Sequence, residues 1–333
     1  MSEYLQYGGQ AVVEGVMMRS PRFFSVACRR PDGEIVLRTE PIASSFLGRL
    51  QWLKRPFLRG SLALVDAMTL GMKALNFSAQ VQAEAIPASA GAERPQQPVP
   101  STDGSTGGAT GASRSINDIV IGGVMVLAFV FGVLLFVALP TLLTQLVQTR
   151  LGVEHPIALN LVDGVIRITI FLVYIAAIAR LHNIARVFQY HGAEHKAINT
   201  LEAGGELDVA VCMRASRIHP RCGTSFIIVV LLASILVHSV FPRPPQYLVR
   251  VGLHIALIPL VAGVAYEVIR LAGRLRNARV LTALLAPGRW TQGLTTREPD
   301  VEQVEVALAA LKAVIERENA PAAGAEGAAT AVA

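Results

Sequence analysis

Two histidines, His191 and His195, stand four residues apart in Arg186-Val-Phe-Gln-Tyr-His-Gly-Ala-Glu-His-Lys196. On a helix this spacing puts both imidazoles on one face, within reach of a single ion. Glu194 lies between them. The order His-x-x-Glu-His reverses the common zinc-protease arrangement and is a hydrolase signature where the surrounding structure fits. Further along, Ile218-His-Pro-Arg-Cys-Gly-Thr-Ser-Phe226 supplies His219 and Cys222, completing a His₃Cys set with the spacing H-x₃-H-x₂₃-H-x₂-C. Imidazole nitrogen and thiolate sulfur suit Zn²⁺ better than magnesium or calcium. With all four ligands bound the ion is closed off and structural; with Cys222 or one histidine off, an open position can hold a water of lowered pKa, and Glu194 becomes the candidate general base. Glu194 could equally be a ligand, and the histidines could simply hydrogen-bond head groups or neighbouring carbonyls.

What must position these residues is a set of membrane spans. Of 333 residues, 52% are hydrophobic and only 16% charged, with a mean hydropathy of +0.47, too apolar for a soluble chain of this size. Four runs each approach the roughly 20 residues that cross a hydrocarbon core: Ile119 to about Val147, Ile157 to Leu181, Ser225 to Phe241, and Tyr247 to Leu271. Basic residues gather in the 182–224 loop (Arg186, Lys196, Arg214, Arg217, Arg221) and after the fourth span (Arg274, Arg276, Arg279, Arg289), whereas the two opposite loops carry only Arg150 and Arg243. That bias predicts a multi-pass protein of the inner (plasma) membrane with both termini and the 182–224 loop in the cytoplasm. The second span should continue as a helix through Leu181, Ile184, Val187 and Phe188 to the His-x-x-Glu-His and break at Ala203-Gly-Gly205. Adjacent antiparallel spans then bring His219 and Cys222 back beside His191 and His195.

The fold class read this way is mostly α: four transmembrane helices, a small N-terminal α+β cytoplasmic unit and a C-terminal amphipathic helix. Residues 1–80 form the first part, with a hairpin whose strands Arg22-Phe-Phe-Ser-Val-Ala-Cys-Arg and Glu34-Ile-Val-Leu-Arg-Thr flank Pro31-Asp-Gly33. Gly8-Gly-Gln-Ala-Val-Val-Glu-Gly-Val-Met-Met-Arg-Ser-Pro21 reads as a tight turn with Glu14 as a surface acid, and as the nearest candidate for a wall of the site. Residues 44–80 read as an amphipathic helix, lying on head groups or packed on the hairpin. Residues 81–115, rich in Ala, Pro, Gly, Ser and Thr, read as a disordered linker. The four-span part occupies 116–280. The cytoplasmic segment 281–317 carries one helix, begun by Pro299 and Asp300 with a stripe of Val301, Val304, Leu308, Leu311 and Ile315, and 318–333 is a disordered tail. Three cysteines on the cytoplasmic side imply no disulfide framework.

A second polar set, Asp163, Arg167, His238, Arg250 and His254, lies toward the outer side of the spans. Asp163 and Arg167, four apart, should pair; a transport path is the weaker reading, because no inverted repeat accompanies it. The net charge of +6 fits anionic lipid and orientation in the bilayer, and no nucleic-acid partner is expected.

Together, Gly8–Pro21, Pro56-Phe-Leu-Arg-Gly60, Phe188-Gln-Tyr-His-Gly-Ala-Glu-His-Lys196, His219-Pro-Arg-Cys-Gly-Thr-Ser-Phe226 and Leu294-Thr-Thr-Arg-Glu-Pro-Asp300 resemble the YqhQ-like bacterial membrane family of unknown function, often labelled a predicted metal-dependent enzyme. The resemblance implies a metal held by His191, His195, His219 and Cys222 and leaves the reaction open. Two functions follow as expectations: a zinc-dependent membrane hydrolase with Glu194 as base, or a non-enzymatic factor with a structural metal that docks a membrane-protein assembly or translation-machinery partner.

Overall fold

The computed structural model describes residues 7–42, 58–84, 123–220, 222–274 and 279–320. Most of the 81–115 linker, the amphipathic positions from Phe46 to Phe57, the start of the first span and nearly all of the tail lie outside them.

The N-terminal unit is a four-stranded antiparallel meander, β1 (Gly8–Val12), β2 (Gly15–Arg19), β3 (Phe23–Arg29) and β4 (Ile35–Pro41). The expected hairpin is β3–β4, turning at Gly33 with φ +95°. The stretch read as a tight turn is a second hairpin, β1–β2, in register Val12↔Gly15 and Gly8↔Arg19. Its turn holds Glu14 at φ +49°, the one non-glycine residue with positive φ among the described residues. Both faces of the sheet are covered, which is why Gly15-Val-Met-Met is a continuous apolar run with no strand-like alternation. Val16, Met18 and Ala27 face one core, and Val12, Met17, Phe24, Val26 and Cys28 face the other.

Helix α1 (Leu58–Glu84) covers the second face through Leu70, Ala74 and Val81. Of the two placements expected for this stretch, the contacts show packing on the sheet. Its N-terminal turns reach the apolar helices, where Gly60 lies against Tyr266 and Ala262 and Arg59 Nε donates to Glu267 at 2.6 Å.

Among the described residues, three helices are long and apolar enough to cross a membrane: α2 (Gly123–Leu151), α3 (Pro156–Ile178) and α6 (Gly223–Val240). A fourth span exists if α7 (Tyr247–Ala256) and α8 (Ile258–Arg274) count as one, bent by 44°. The fourth run is thus broken, not continuous: the bend falls at Leu257, just before Pro259, whose ring excludes the carbonyl four residues back, that of Ile255. In α2 the π-helical segment Leu134–Ala138 precedes Pro140 for the same reason.

The second span also stops short of the histidine motif. Helix α3 ends at Ile178, Leu181 is extended (ψ +130°), and a new helix, α4 (His182–Glu202), begins. Arg297 holds the break by donating to the Ala179 carbonyl at 2.6 Å, an acceptor that a continued helix would have used itself. The break at Ala203-Gly-Gly205 is as expected, with Gly204 at φ +70°. A short helix α5 (Val209–Arg214), capped by Asp208, leads back toward Cys222, the N-cap of α6.

Beyond the spans lie two helices where the sequence suggested one. Helix α9 (Arg279–Thr295) contains Pro287, and that Pro-Gly step hides it from a pattern reading. Gly288 is what lets α9 press on α6, since a Cβ there would lie 2.8 Å from Ser225 Cβ. Helix α10 (Val301–Asn319) starts at Asp300 with a capping box to Gln303. It fills the first face of the sheet together with α4, burying Val304, Val306, Ala307, Leu308, Ala310, Leu311 and Val314; Val301 remains half exposed.

Candidate metal centre

Helix α4 presents His191 and His195 one turn apart, ring centroids 4.4 Å from each other. The N-cap position of α6 brings Cys222 to them: His191 Nε2 is 3.2 Å from Cys222 Sγ. Ligand atoms of His191, His195 and Cys222 all lie within 4.8 Å of one another. Ideal tetrahedral ligation by nitrogen and sulfur puts neighbouring ligand atoms about 3.5 Å apart, so this group needs only small adjustments to close on an ion.

Both rings are already oriented. His191 Nδ1 faces the Thr295 carbonyl at 2.8 Å and His195 Nδ1 faces the Arg217 carbonyl at 2.6 Å. A carbonyl only accepts, so each Nδ1 carries a proton and Nε2 is the ring nitrogen left to meet an ion. Outer-shell bonds of this kind are what fix the tautomer and direction of metal-binding histidines. Cys222 Sγ receives the Thr224 N–H at 3.4 Å and lies 3.0 Å from the Thr224 hydroxyl.

Of the four expected ligands, His219 stands next to this group of three. Its ring is 5.7 Å from that of His195, and its Nε2 lies 3.3 Å from Glu202 Oε1. Glu194 is at the site, its Oε2 3.5 Å from His195 Nε2, and only 5% exposed. Burial pushes its carboxyl up to about 7, against the opposing pull of His191 and of the Gly9 backbone N–H. The Gly8–Pro21 stretch is therefore a wall of the site: a Cβ on Gly9 would sit 2.7 Å from Glu194 Cγ. Glu14 is not a free surface acid. Its carboxylate takes Arg186 Nε at 2.6 Å and NH2 at 2.5 Å, with the Tyr190 hydroxyl at 3.3 Å, tying the strained β1–β2 turn to α4.

The sequence reading missed the segment Thr295–Asp300, which runs across α4 as a strap. Gly192 makes the crossing possible, because a Cβ there would meet the Arg297 carbonyl oxygen at 2.1 Å. Arg297 N donates to Phe188 O at 2.8 Å, and Thr296 O accepts from Arg217 NH1 at 2.6 Å. Glu298 Oε1 meets Lys196 Nζ at 2.6 Å; that buried ammonium also donates to the Met213 and Ala215 carbonyls, both at 2.8 Å. Fully buried Gln292 secures the cysteine turn from the other side. It accepts from His219 N and donates to His219 O, both at 2.9 Å, and reaches Ser225 Oγ at 2.9 Å. The only trace of this in the sequence is the polar run Leu294-Thr-Thr-Arg-Glu-Pro-Asp300, whose types name no chemistry of their own.

No solved structure matches this chain. It is 36% identical over 303 residues to the uncharacterised protein YqhQ of Bacillus subtilis (strain 168), covering 91% of this chain and 90% of that protein. Residues 55–317, which include every residue of the metal-ligand group and of the strap, match the family described as protein of unknown function (DUF1385). The chain belongs to that family.

Proposed function

We propose that this chain is an integral protein of the bacterial inner membrane that binds zinc through His191, His195 and Cys222 on the cytoplasmic side, with Glu194 serving a hydrolytic reaction. The observation that carries the reading is the pair of Nδ1–carbonyl bonds, which leave Nε2 of both rings as the nitrogens beside a thiol. Exposed side chains along the apolar helices, such as Leu127 (69%), Phe129 (68%) and Leu236 (66%), support residence in lipid. The charge bias of the loops supports the cytoplasmic orientation.

Three protein ligands leave one position of a tetrahedral ion open, and a zinc ion so held supplies Lewis acidity and a water of lowered pKa. The chain's own contribution is a buried carboxyl group adjoining His195, positioned to exchange a proton with a bound reactant. A second reading, a structural ion in a non-enzymatic factor with a membrane-protein assembly or translation-machinery partner, is favoured by one feature. The group joins α4, α6 and, through Thr295, α9, and His195 is only 1% exposed.

Elemental analysis of the full-length protein in detergent should find about one zinc per chain, lost in His191→Ala, His195→Ala and Cys222→Ser and kept in His219→Ala and Glu194→Gln. Equal metal in the three ligand variants, or none in wild type, would defeat both readings. Cobalt substitution separates them. If thiocyanate changes the visible spectrum of the cobalt protein, the fourth position is open and the hydrolytic reading stands; an inert spectrum supports the structural one.

A further inference from the structure

At the opposite end of the apolar bundle from the histidine–cysteine group, buried and half-buried charges do not balance. Arg167, on α3, pairs with Asp163 one turn away at 2.7 Å, as their spacing predicted. Thr144 of α2 donates to the same carboxylate at 3.2 Å, and His254 Nε2 of α7 lies 3.6 Å from it. His254 stacks on His238 of α6, centroids 4.1 Å apart. Arg250, one turn before His254 and 4% exposed, donates to the carbonyls of Pro244 and Pro245 at 3.1 and 3.0 Å. Between those prolines and α6 sits Arg243, whose NH1 donates to Asn160 Oδ1 at 3.0 Å, while Asn160 Nδ2 donates to His238 O at 3.1 Å. These residues form one connected cluster of three guanidiniums and a single carboxylate, leaving two positive charges in excess even with both histidines neutral.

The guanidiniums also have donors to spare. Arg167 Nε, Arg243 Nε and NH2, and Arg250 NH1 are buried with no hydrogen-bond partner among the described residues. Water could take up the N–H groups but not the charge, and an uncompensated cation among apolar helices is costly. The pattern of free atoms is informative. Nε and NH2 of Arg243 are the two parallel donors of one guanidinium edge, the edge that grips two oxygens of a planar or tetrahedral oxyanion.

We propose that this cluster is a binding site for a phosphate group, gripped edge-on by Arg243 and completed by Arg250 and Arg167. A phosphate supplies the missing negative charge and enough acceptor oxygens for all four free donors, whereas a halide has no pair of oxygens to match the Arg243 edge. At this level of the bundle, the source is either the phosphate of an anionic phospholipid or a soluble phosphate. Arg243 lies in the Pro242-Arg-Pro-Pro loop, where three prolines limit its backbone freedom. Burial, and then the neighbouring Arg250, push its guanidinium below its ordinary pKa, a strain that a bound anion would relieve.

The test uses the full-length protein, delipidated in neutral detergent, with two probes: inorganic phosphate, read by thermal shift and calorimetry, and phosphatidylglycerol against phosphatidylcholine, read by native mass spectrometry. Arg243→Gln is the variant of choice because its one described hydrogen bond, to Asn160, is the least the fold can lose. Arg250→Gln, which gives up two carbonyl contacts, is the second. Binding of inorganic phosphate, weakened at least about tenfold in Arg243→Gln, assigns a soluble phosphate. Preferential binding of phosphatidylglycerol, weakened to the same extent while phosphate alone does nothing, assigns a headgroup. The proposal is overturned if neither probe binds wild type, if chloride stabilises as well as phosphate, or if folded Arg243→Gln binds as wild type does.

Discussion

Replacing Gly192 with alanine puts a methyl group where the strap crosses α4. The added Cβ would lie 2.1 Å from the Arg297 carbonyl oxygen, so one of the two must retreat by about 1 Å to reach ordinary contact. Neither is free to do so. Arg297 is fixed through its N–H to Phe188 O and through its side chain to Ala179 O, and α4 is fixed by Glu14–Arg186 on its far side. Overpacking of this kind costs about 1–3 kcal/mol, and losing the Arg297–Phe188 or His191–Thr295 bond adds about 1 kcal/mol. Against this, alanine in a helix interior gains about 1 kcal/mol over glycine. Gly192→Ala should therefore be destabilised by about 1–3 kcal/mol. Gly293→Ala is the matched control: it lies in α9 with nothing within 4 Å of its Cβ and should be stabilised by about 1 kcal/mol. Reversible thermal unfolding of both variants in the same detergent, with zinc affinity measured alongside, gives the comparison. Opposite shifts, with weaker zinc binding only in Gly192→Ala, are expected. If Gly192→Ala is as stable as Gly293→Ala, the strap does not press on α4 as described and its role in orienting His191 fails with it.

Two further perturbations probe the supports of the same layer. Burial alone would raise Glu318, but the Ser20 hydroxyl at 2.6 Å and Arg22 Nε at 2.7 Å hold its carboxylate below the ordinary 4.5. A carboxylate lowered in the folded state contributes stability that is present above about 4.5 and lost as pH falls through the lower folded value. Glu318→Gln should remove about 1–2 kcal/mol near neutrality, Arg22 being half exposed, and flatten the acid limb of the stability profile; an unchanged acid limb would refute the anchoring of α10. Gln292→Leu removes three buried hydrogen bonds, two of them to the His219 backbone. It should cost about 2–4 kcal/mol and weaken zinc binding by displacing Cys222; a stable variant with normal zinc affinity would show that the cysteine turn holds itself.

The ligand spacing was legible because it is local: residues four apart on a helix meet whatever the rest of the chain does. The return of Cys222 was legible too, since antiparallel spans leave few places for a short loop to go. What the sequence concealed depends on partners distant in the chain. β1 and β2 carry no alternation because helices cover both faces of their sheet, and Glu14 is anchored by Arg186, 172 residues away. The split between α3 and α4 is unmarked by glycine or proline and rests on Arg297, 118 residues further on. His219 has the right type and place for a ligand, and its Nε2 lies 3.3 Å from Glu202 at the C-terminal end of α4, a neighbour the spacing could not show. The buried arginines read as loop and span charges until the packing showed which of their donors lack partners.

The strap gives the metal centre a thermodynamic connection to the rest of the domain. Thr295 fixes the His191 ring, Arg297 closes the α3–α4 break, Glu298 neutralises the buried Lys196, and Asp300 starts α10, all within six residues. An ion that binds only when both imidazoles are oriented must favour the docked strap by the same free energy with which the docked strap favours the ion. Metal binding at this group would then be linked to the seating of α10 on the sheet. That coupling would hold whether such an ion were catalytic or structural, and it gives a physical reason for a group of three side chains to draw supporting residues from β1 to α10.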